Sequence, residues 1–154
     1  MKIGSAARRL DTTPRTLRFY EELGLLRVRK TPGGTRDYTE DDLARLEAIL
    51  TLTRLGIPVE QVRRLATVRT EGRTGDEANQ QVEPCLADLH ATIAGQRQQL
   101  ERLEAEIESA EALVRGCRGC PNPPTERGCP ECPVARHRSE FTLLSLLWEQ
   151  PGDA

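Results

Sequence analysis

The sequence is poor in aromatic residues and lacks any long apolar run. Trp, Tyr and Phe make up 3% of its 154 residues, which leaves little material for a ring-lined ligand pocket. No apolar stretch approaches the ~20 residues of a membrane-spanning helix, and the N-terminus lacks the apolar segment of a signal peptide. No Ser-His-Asp set, phosphate-binding loop or pair of catalytic carboxylates is evident. We therefore expect a cytoplasmic protein that is not an enzyme and has no membrane partner.

Charge is divided unevenly along the chain, although the net charge is only −2. Residues 1–75 contain 15 Lys and Arg against 10 Asp and Glu, whereas the remainder contains 7 against 14. A basic N-terminal part fits an acidic partner such as nucleic acid, and it also fits a solvated arginine-rich surface. Local motifs must decide between the two.

A heptad pattern dominates the second half of the chain. Its a positions are Leu86, Ile93, Leu100, Ile107 and Val114, and its d positions are Val82, Leu89, Gln96, Leu103 and Ala110. This apolar seam of period 3.5 predicts a coiled-coil helix that needs a partner helix. A helix from Asn79 to Arg115, with Pro84 in its first turns, would be ~55 Å long. Because so long a rod exceeds what a chain of this size can cover, we expect a homodimer.

Five cysteines carry the most specific chemistry in the sequence. Cys85 lies early in the long helix, and the other four form two Cys-x-x-Cys pairs in a loop rich in Pro and Gly: Cys117, Cys120, Cys129 and Cys132. In a reducing compartment this spacing is more typical of metal ligands than of structural disulfides. The thiolates suit zinc, mercury, cadmium or lead, and also a 2Fe–2S cluster. His137 is close enough in sequence to be a ligand, but a surface histidine is the simpler interpretation.

Cys85 and Cys117 would lie on the order of 48 Å apart along one straight helix, so they cannot share an ion within one chain. An antiparallel pair of helices with its two-fold axis near Glu101 and Arg102 would bring Cys85 of one copy beside Cys117 and Cys120 of the other. The sequence therefore permits a site built across a dimer.

The N-terminal half predicts a winged helix-turn-helix. A short helix spans residues 4–10, and a second begins with the cap Thr13 and Pro14 and ends at Gly24. Residues 25–38 predict a hairpin, or wing, with a turn at residues 31–34. Thr39 opens a capping box for a third helix that Gly56 ends, and a short helix after Pro58 leads to a linker at residues 70–75.

The second helix and the wing supply candidate DNA contacts. Leu17, Leu23 and either Tyr20 or Phe19 can bury one side of the helix and leave its basic side outside, near the major groove. Arginine there can bond phosphate or guanine, and wing residues can bond the backbone. The candidate contacts are Arg15, Thr16, Arg18, Tyr20, Arg36 and Tyr38.

Four segments carry a resemblance to a known family. They are Ile3-Gly4, then Thr13-Pro14-Arg15-Thr16-Leu17-Arg18-Phe19-Tyr20-Glu21-Glu22-Leu23-Gly24-Leu25-Leu26, then Arg36-Asp37-Tyr38-Thr39-Glu40-Asp41-Asp42-Leu43, and Leu55-Gly56-Ile57. Together they closely resemble the MerR family of bacterial transcriptional regulators. The resemblance implies a homodimer with an antiparallel helix pair. It also implies promoter DNA and RNA polymerase as partners, and activation by bending and untwisting DNA.

The resemblance extends to the cysteines. Cys85, Cys120 and Cys129, followed by Pro130, look like the three-cysteine site of the mercury-sensing branch, whose first ligand comes from the other copy. Cys117 and Cys132 would then add ligands, bind a second ion or hold a structural zinc. Two alternatives are a SoxR-like iron–sulfur redox sensor, in which Cys85 has no role, and a purely structural zinc site made of the four loop cysteines.

We therefore expect a mainly α-helical chain in three parts. Residues 1–75 would form the winged helix-turn-helix domain, and residues 76–116 the dimerisation helix. Residues 117–154 would form the Cys-rich effector loop and a short C-terminal helix.

Overall fold

The computed structural model describes residues 1–122, 132–137 and 140–146. The helices are α1 (Ile3–Arg9), α2 (Pro14–Glu22), α3 (Glu40–Arg54), α4 (Val59–Thr67), α5 (Gly75–Val114) and α6 (Pro133–His137). The strands β1 (Arg29–Lys30) and β2 (Arg36–Asp37) form a two-stranded sheet, and single 3₁₀ turns occupy Val68–Thr70, Arg115–Cys117 and Leu143–Leu146. This mainly helical fold confirms the predicted class. No helix in the described part is long and apolar enough to cross a membrane.

The chain divides into two compact units, Met1–Ala94 and Gly95–Ala154. The first contains the helix-turn-helix, the wing, α3, α4 and the beginning of α5. The second contains the remainder of α5 and the C-terminal turns. The predicted boundaries of the three functional parts stay a prediction.

Local signals explain α1 and α2. The Thr13 side chain accepts a hydrogen bond from the backbone N–H of Thr16 at 3.1 Å, and Pro14 occupies the first helical position, where its missing N–H costs nothing. The helix ends at Glu22, and Gly24 follows with a φ of +73°. Glycine adopts this backbone conformation readily, whereas residues with a β-carbon rarely do. The predicted second helix is confirmed, one residue shorter than expected.

The core of the first unit lies among α1 to α4. Its buried residues are Ala6, Ala7, Leu17, Tyr20, Leu25, Leu26, Tyr38, Leu43, Leu46, Ile49, Leu50, Ile57 and Val62. Of the two aromatic candidates in α2, Tyr20 faces inward and is 5% exposed, whereas Phe19 is 46% exposed. This arrangement leaves the opposite side of α2 on the surface.

The wing and α3 follow the predicted pattern. Arg29 pairs with Asp37 and Lys30 with Arg36 in an antiparallel register. Thr39 caps α3 in a full capping box with Asp42, since each side chain accepts from the other's backbone N–H.

Helix α5 begins at Gly75, earlier than the predicted start at Asn79. The Thr74 hydroxyl accepts from the Glu77 N–H at 3.1 Å, and the Glu77 carboxylate accepts from the Arg73 N–H at 2.9 Å. These caps add a turn at the N-terminus, so Pro84 lies inside the helix and the prediction that it falls in the first turns was wrong. Because proline has no N–H, the carbonyl four residues earlier loses its helical donor there.

In the second unit, α6 packs against the turn Arg115–Cys117. Val134 is buried and approaches Gly116, where a β-carbon would lie 3.8 Å from a Val134 methyl group. Leu144 is also buried, and the Leu143 N–H donates to Glu106 of α5 at 3.0 Å. The expected short C-terminal helix is seen as the 3₁₀ turn Leu143–Leu146; its predicted members Leu147 and Trp148 lie outside the described residues.

Candidate DNA-binding face and thiol site

The outer face of α2 presents the predicted basic residues. Arg15 and Arg18 are exposed, while Thr16 is half-buried with its hydroxyl 2.9 Å from that of Thr13. Leu17, between them, is fully buried and fixes which side of the helix faces the core. The two guanidinium groups are therefore available to a partner near the N-terminal end of α2.

The two candidate tyrosines have a different placement. Tyr20 lies in the core with its hydroxyl 3.0 Å from the Thr53 hydroxyl. Tyr38 is 2% exposed and its hydroxyl donates to the carboxylate of Glu21. Burial, together with this hydrogen bond, raises the pKa of Tyr38 well above its usual value. Both rings pack inside the first unit, and a direct DNA contact by either one stays a prediction.

Glu21 connects α2 to the wing, and sequence reasoning missed this role. Its carboxylate accepts from Arg36 Nε at 2.5 Å as well as from Tyr38. The hydrogen bond and the charge of Glu21 raise the pKa of Arg36. No sequence signal separates Glu21 from its neighbour Glu22, because the difference arises only when the wing folds back onto α2.

A basic pocket of about 480 Å³ lies beside the wing. It is lined by Lys2, Ile3, Gly4, Ser5, Arg8, Gly34, Thr35 and Arg36. Three of these side chains are cationic and none is acidic, so the pocket suits an anionic group.

The thiol of Cys85 is buried in the first unit, with 6% of the residue exposed. Arg64 of α4 places Nη2 at 3.9 Å from Cys85 Sγ, and its Nη1 lies 3.5 Å from an oxygen of Asp88. Cys85 also lines a pocket of about 390 Å³ with Arg64, Thr67, Val68, Glu71, Gln80, Gln81 and Pro84. The sulfur is thus held where α4 and α5 meet, beside an opening to solvent.

The loop cysteines of the second unit are more accessible. Cys117 and Cys120 are exposed, and the N–H of Cys120 donates to the Cys117 carbonyl at 3.1 Å. Cys132 is half-buried directly before α6, whereas Cys129 lies outside the described residues. His137 is exposed and its Nδ1 lies 2.8 Å from Glu140 Oε1.

Sulfur donors of this kind fit soft divalent ions. Within residues 1–122, 132–137 and 140–146, no three Cys, His, Asp or Glu side chains gather around a common point. A three-coordinate site therefore requires a ligand from beyond this part of one chain, such as Cys129 or a second copy.

The predicted heptad seam is largely uncovered in the single chain. Its a positions, together with Leu103, are between 37% and 62% exposed: Leu86, Ile93, Leu100, Leu103, Ile107 and Val114. Leu89 packs against the core of the first unit, and Ala110 is buried in the second. The exposed residues of the seam form an apolar surface whose contact with water is unfavourable.

A helix-turn-helix with a wing, followed by a long helix with an apolar seam, defines a DNA-binding transcriptional regulator of the winged class. The profile of the MerR HTH family regulatory proteins matches residues 1–67. The chain belongs to the MerR family of transcriptional regulators, which confirms the resemblance found in the sequence.

Three known proteins illustrate the likeness. The HTH-type transcriptional regulator ZntR of Escherichia coli K12 is 36% identical over 96 residues, which span 60% of this chain and 68% of ZntR. The structure of HiNmlR, a MerR family regulator lacking the sensor domain, bound to promoter DNA, shares 26% identity with a TM-score of 0.55 and covers 77% of this chain and 88% of that one. The transcription regulator PbrR691 from Ralstonia metallidurans CH34, in complex with lead(II), shares 28% identity with a TM-score of 0.52 and covers 88% and 97%.

Proposed function

We propose that this protein is a cytoplasmic, metal-responsive regulator that binds a promoter as a homodimer. A soft divalent ion held by cysteines would switch it to a form that activates RNA polymerase by distorting the DNA. The observation that carries the proposal is the position of Cys85, whose thiol is buried beside Arg64 of α4 within the DNA-binding unit. An ion bound there would act directly on the elements that orient α2 and the wing.

DNA binding rests on the basic residues of two elements. Arg15, Thr16 and Arg18 would face the major groove from α2, and Arg36 would contact the backbone from the wing. The basic pocket beside the wing would receive a backbone phosphate between Lys2, Arg8 and Arg36. Tyr20 and Tyr38 would support this face from inside by holding α2 and the wing in place.

Dimerisation rests on the exposed seam of α5. Pairing with a second α5 would remove Leu86, Ile93, Leu100 and Ile107 from water, at about 25 cal/mol for each Å² of apolar surface buried. With antiparallel helices and an axis near Glu101 and Arg102, residue 85 of one helix lies opposite residue 118 of the other. That register is the one that a shared thiol site requires.

The metal site would combine Cys85 of one copy with Cys120 and Cys129 of the other. Three thiolates suit zinc, mercury, cadmium or lead, and a related regulator, PbrR691, has been solved with lead(II). Cys117 and Cys132 would add ligands or hold a structural ion. An ion bound in this way would supply a fixed link between the start of one α5 and the end of the other.

The proposal is tested by elemental analysis and a visible spectrum of protein purified without oxygen, followed by transcription in vitro from its promoter. We expect a colourless protein that holds zinc or takes up added cadmium or lead, and transcription that rises with the metal. A brown protein containing iron would favour a SoxR-like redox sensor. If the protein binds zinc but transcription does not change with any soft metal, the zinc site is purely structural.

A further inference from the structure

The contact between α4 and α5 near Cys85 includes polar side chains. Arg64 and Gln61 both project from α4, and Gln61 Nε2 lies 3.1 Å from the hydroxyl of Thr92 on α5. Arg64 approaches the proposed metal ligand, with Nη2 at 3.9 Å from Cys85 Sγ. From α4, Arg64 thus hydrogen-bonds to the sulfur that would hold the ion.

The same guanidinium has a second partner. Arg64 Nη1 lies 3.5 Å from Asp88 Oδ2, and Asp88 follows Cys85 by three residues, so both lie on one face of α5. Arg64 and Asp88 are each 57% exposed, which makes their ion pair weak because water screens it. Sγ is the buried partner of the two, so a change in its charge affects the guanidinium most strongly.

We propose that Arg64 is a positioning residue of the metal site, which holds Cys85 Sγ from α4 and balances the charge of the bound ion. The inference rests on the proposed function. A divalent ion with three thiolates has a net charge of −1, and the guanidinium supplies the compensating +1. Its N–H groups also donate to a thiolate more strongly than to a neutral thiol. Asp88 competes for the same guanidinium and therefore opposes this effect.

This arrangement predicts effects of opposite sign for two neighbouring residues. Arg64→Gln should weaken cadmium binding about three- to tenfold, at or below the low end of the roughly 10- to 100-fold cost of losing a partner of a metal ligand, because Arg64 is partly solvated. Asp88→Asn should tighten it about two- to threefold, because the guanidinium then has one anionic partner. Arg64→Lys should fall between the wild type and Arg64→Gln, since an ammonium keeps the charge without the planar fork.

Arg63→Gln is the matched control. Arg63 is the adjacent residue of α4, with the same charge and a similar exposure of 51%, but its partner is Glu60 at 3.9 Å. This substitution removes one positive charge from the same helix without touching Cys85. It should leave cadmium affinity unchanged.

The experiment titrates the full-length, metal-free protein with cadmium against a chromophoric chelator, without DNA, so that affinity is measured apart from transcription. Thermal melts of the metal-free variants check that each is folded. A weaker Arg64→Gln together with a tighter Asp88→Asn supports the inference. Equal cadmium affinities for Arg64→Gln and Arg63→Gln would overturn it. Weaker cadmium binding by both Arg64→Gln and Asp88→Asn would also overturn it, because general damage to the α4–α5 contact lowers the affinity in every variant. A wild type that binds no cadmium would overturn this inference, and one that binds no zinc, mercury or lead either would overturn the proposed function as well.

Discussion

Glu21 and Arg36 join α2 to the wing, since Arg36 Nε donates a charged hydrogen bond of 2.5 Å to Glu21 Oε2. The carboxylate also accepts from the buried hydroxyl of Tyr38, so one acidic group fixes two residues of the wing. Arg36 can then contact DNA only from a position that Glu21 determines.

We predict that Glu21→Ala weakens operator binding, although it removes a negative charge from the proposed DNA-binding surface. Loss of the carboxylate frees Arg36 and leaves the Tyr38 hydroxyl buried without its acceptor, at a cost of about 1–3 kcal/mol. Fluorescence anisotropy with labelled operator at fixed salt measures the effect. Glu22→Ala, at the neighbouring exposed position, makes the same charge change and should leave affinity equal or higher. Equal effects of the two substitutions would contradict the role of Glu21.

The raised pKa of Tyr38 predicts that the folded protein loses stability at alkaline pH. Burial and the hydrogen bond to Glu21 raise its pKa above the usual 10.0, so the folded protein holds the phenolic proton more tightly than the unfolded chain does. The resulting stabilisation is complete below pH 10.0 and is lost as the pH rises above it. Urea unfolding between pH 8 and 11 should therefore show a steeper decline for the wild type than for Tyr38→Phe. Parallel declines would show that Tyr38 titrates normally.

Gly72 and Gly75 make a matched pair for the start of α5. A β-carbon on Gly72 would lie 2.6 Å from the Ala78 nitrogen and 2.8 Å from its Cα, whereas one on Gly75 would meet nothing within 4 Å. Gly72→Ala should therefore destabilise the protein by about 1–3 kcal/mol, because backbone atoms must shift. Gly75→Ala should stabilise it by about 0.4–1 kcal/mol, because alanine restricts the unfolded chain. Urea melts give both values, and the same sign for both would refute the close approach at Gly72.

The seam of α5 predicts that Leu100→Asp prevents dimerisation. Leu100 is 62% exposed in one chain, so the substitution should cost little in a monomer, whereas in a paired helix it places two carboxylates in an apolar interface. Sedimentation should show a shift from dimer to monomer at micromolar concentration. Ala105→Asp introduces the same side chain at the outward f position and should leave the dimer intact. A Leu100→Asp protein that stays dimeric would place the interface elsewhere.

Patterns local in sequence were sufficient to predict most elements. Thr13-Pro14 and the box of Thr39 and Asp42 act within one helical turn, and the structure has both. The start of α5 was misplaced because its cap uses Thr74 and Glu77, which precede the heptad pattern. Glu21 and Arg64 could not be found in this way, because their partners lie 15 and 21 residues along the chain and meet them only after folding.

Substitution of Cys85 is the most direct test of the proposed metal response. Cys85→Ser should abolish metal-induced transcription while operator affinity is preserved, because Cys85 is buried beside Arg64 and neither residue is a candidate DNA contact. Cys120→Ser and Cys129→Ser should have the same effect if the three thiols form one site across the dimer. Cys117→Ser and Cys132→Ser serve as controls from the same loop and should have smaller effects. Transcription assays with a metal titration, paired with operator binding, measure both properties. Full activation of Cys85→Ser by metal would mean that the sensing site lies wholly within the loop. An ion at Cys85 would then not act on the DNA-binding unit through α4.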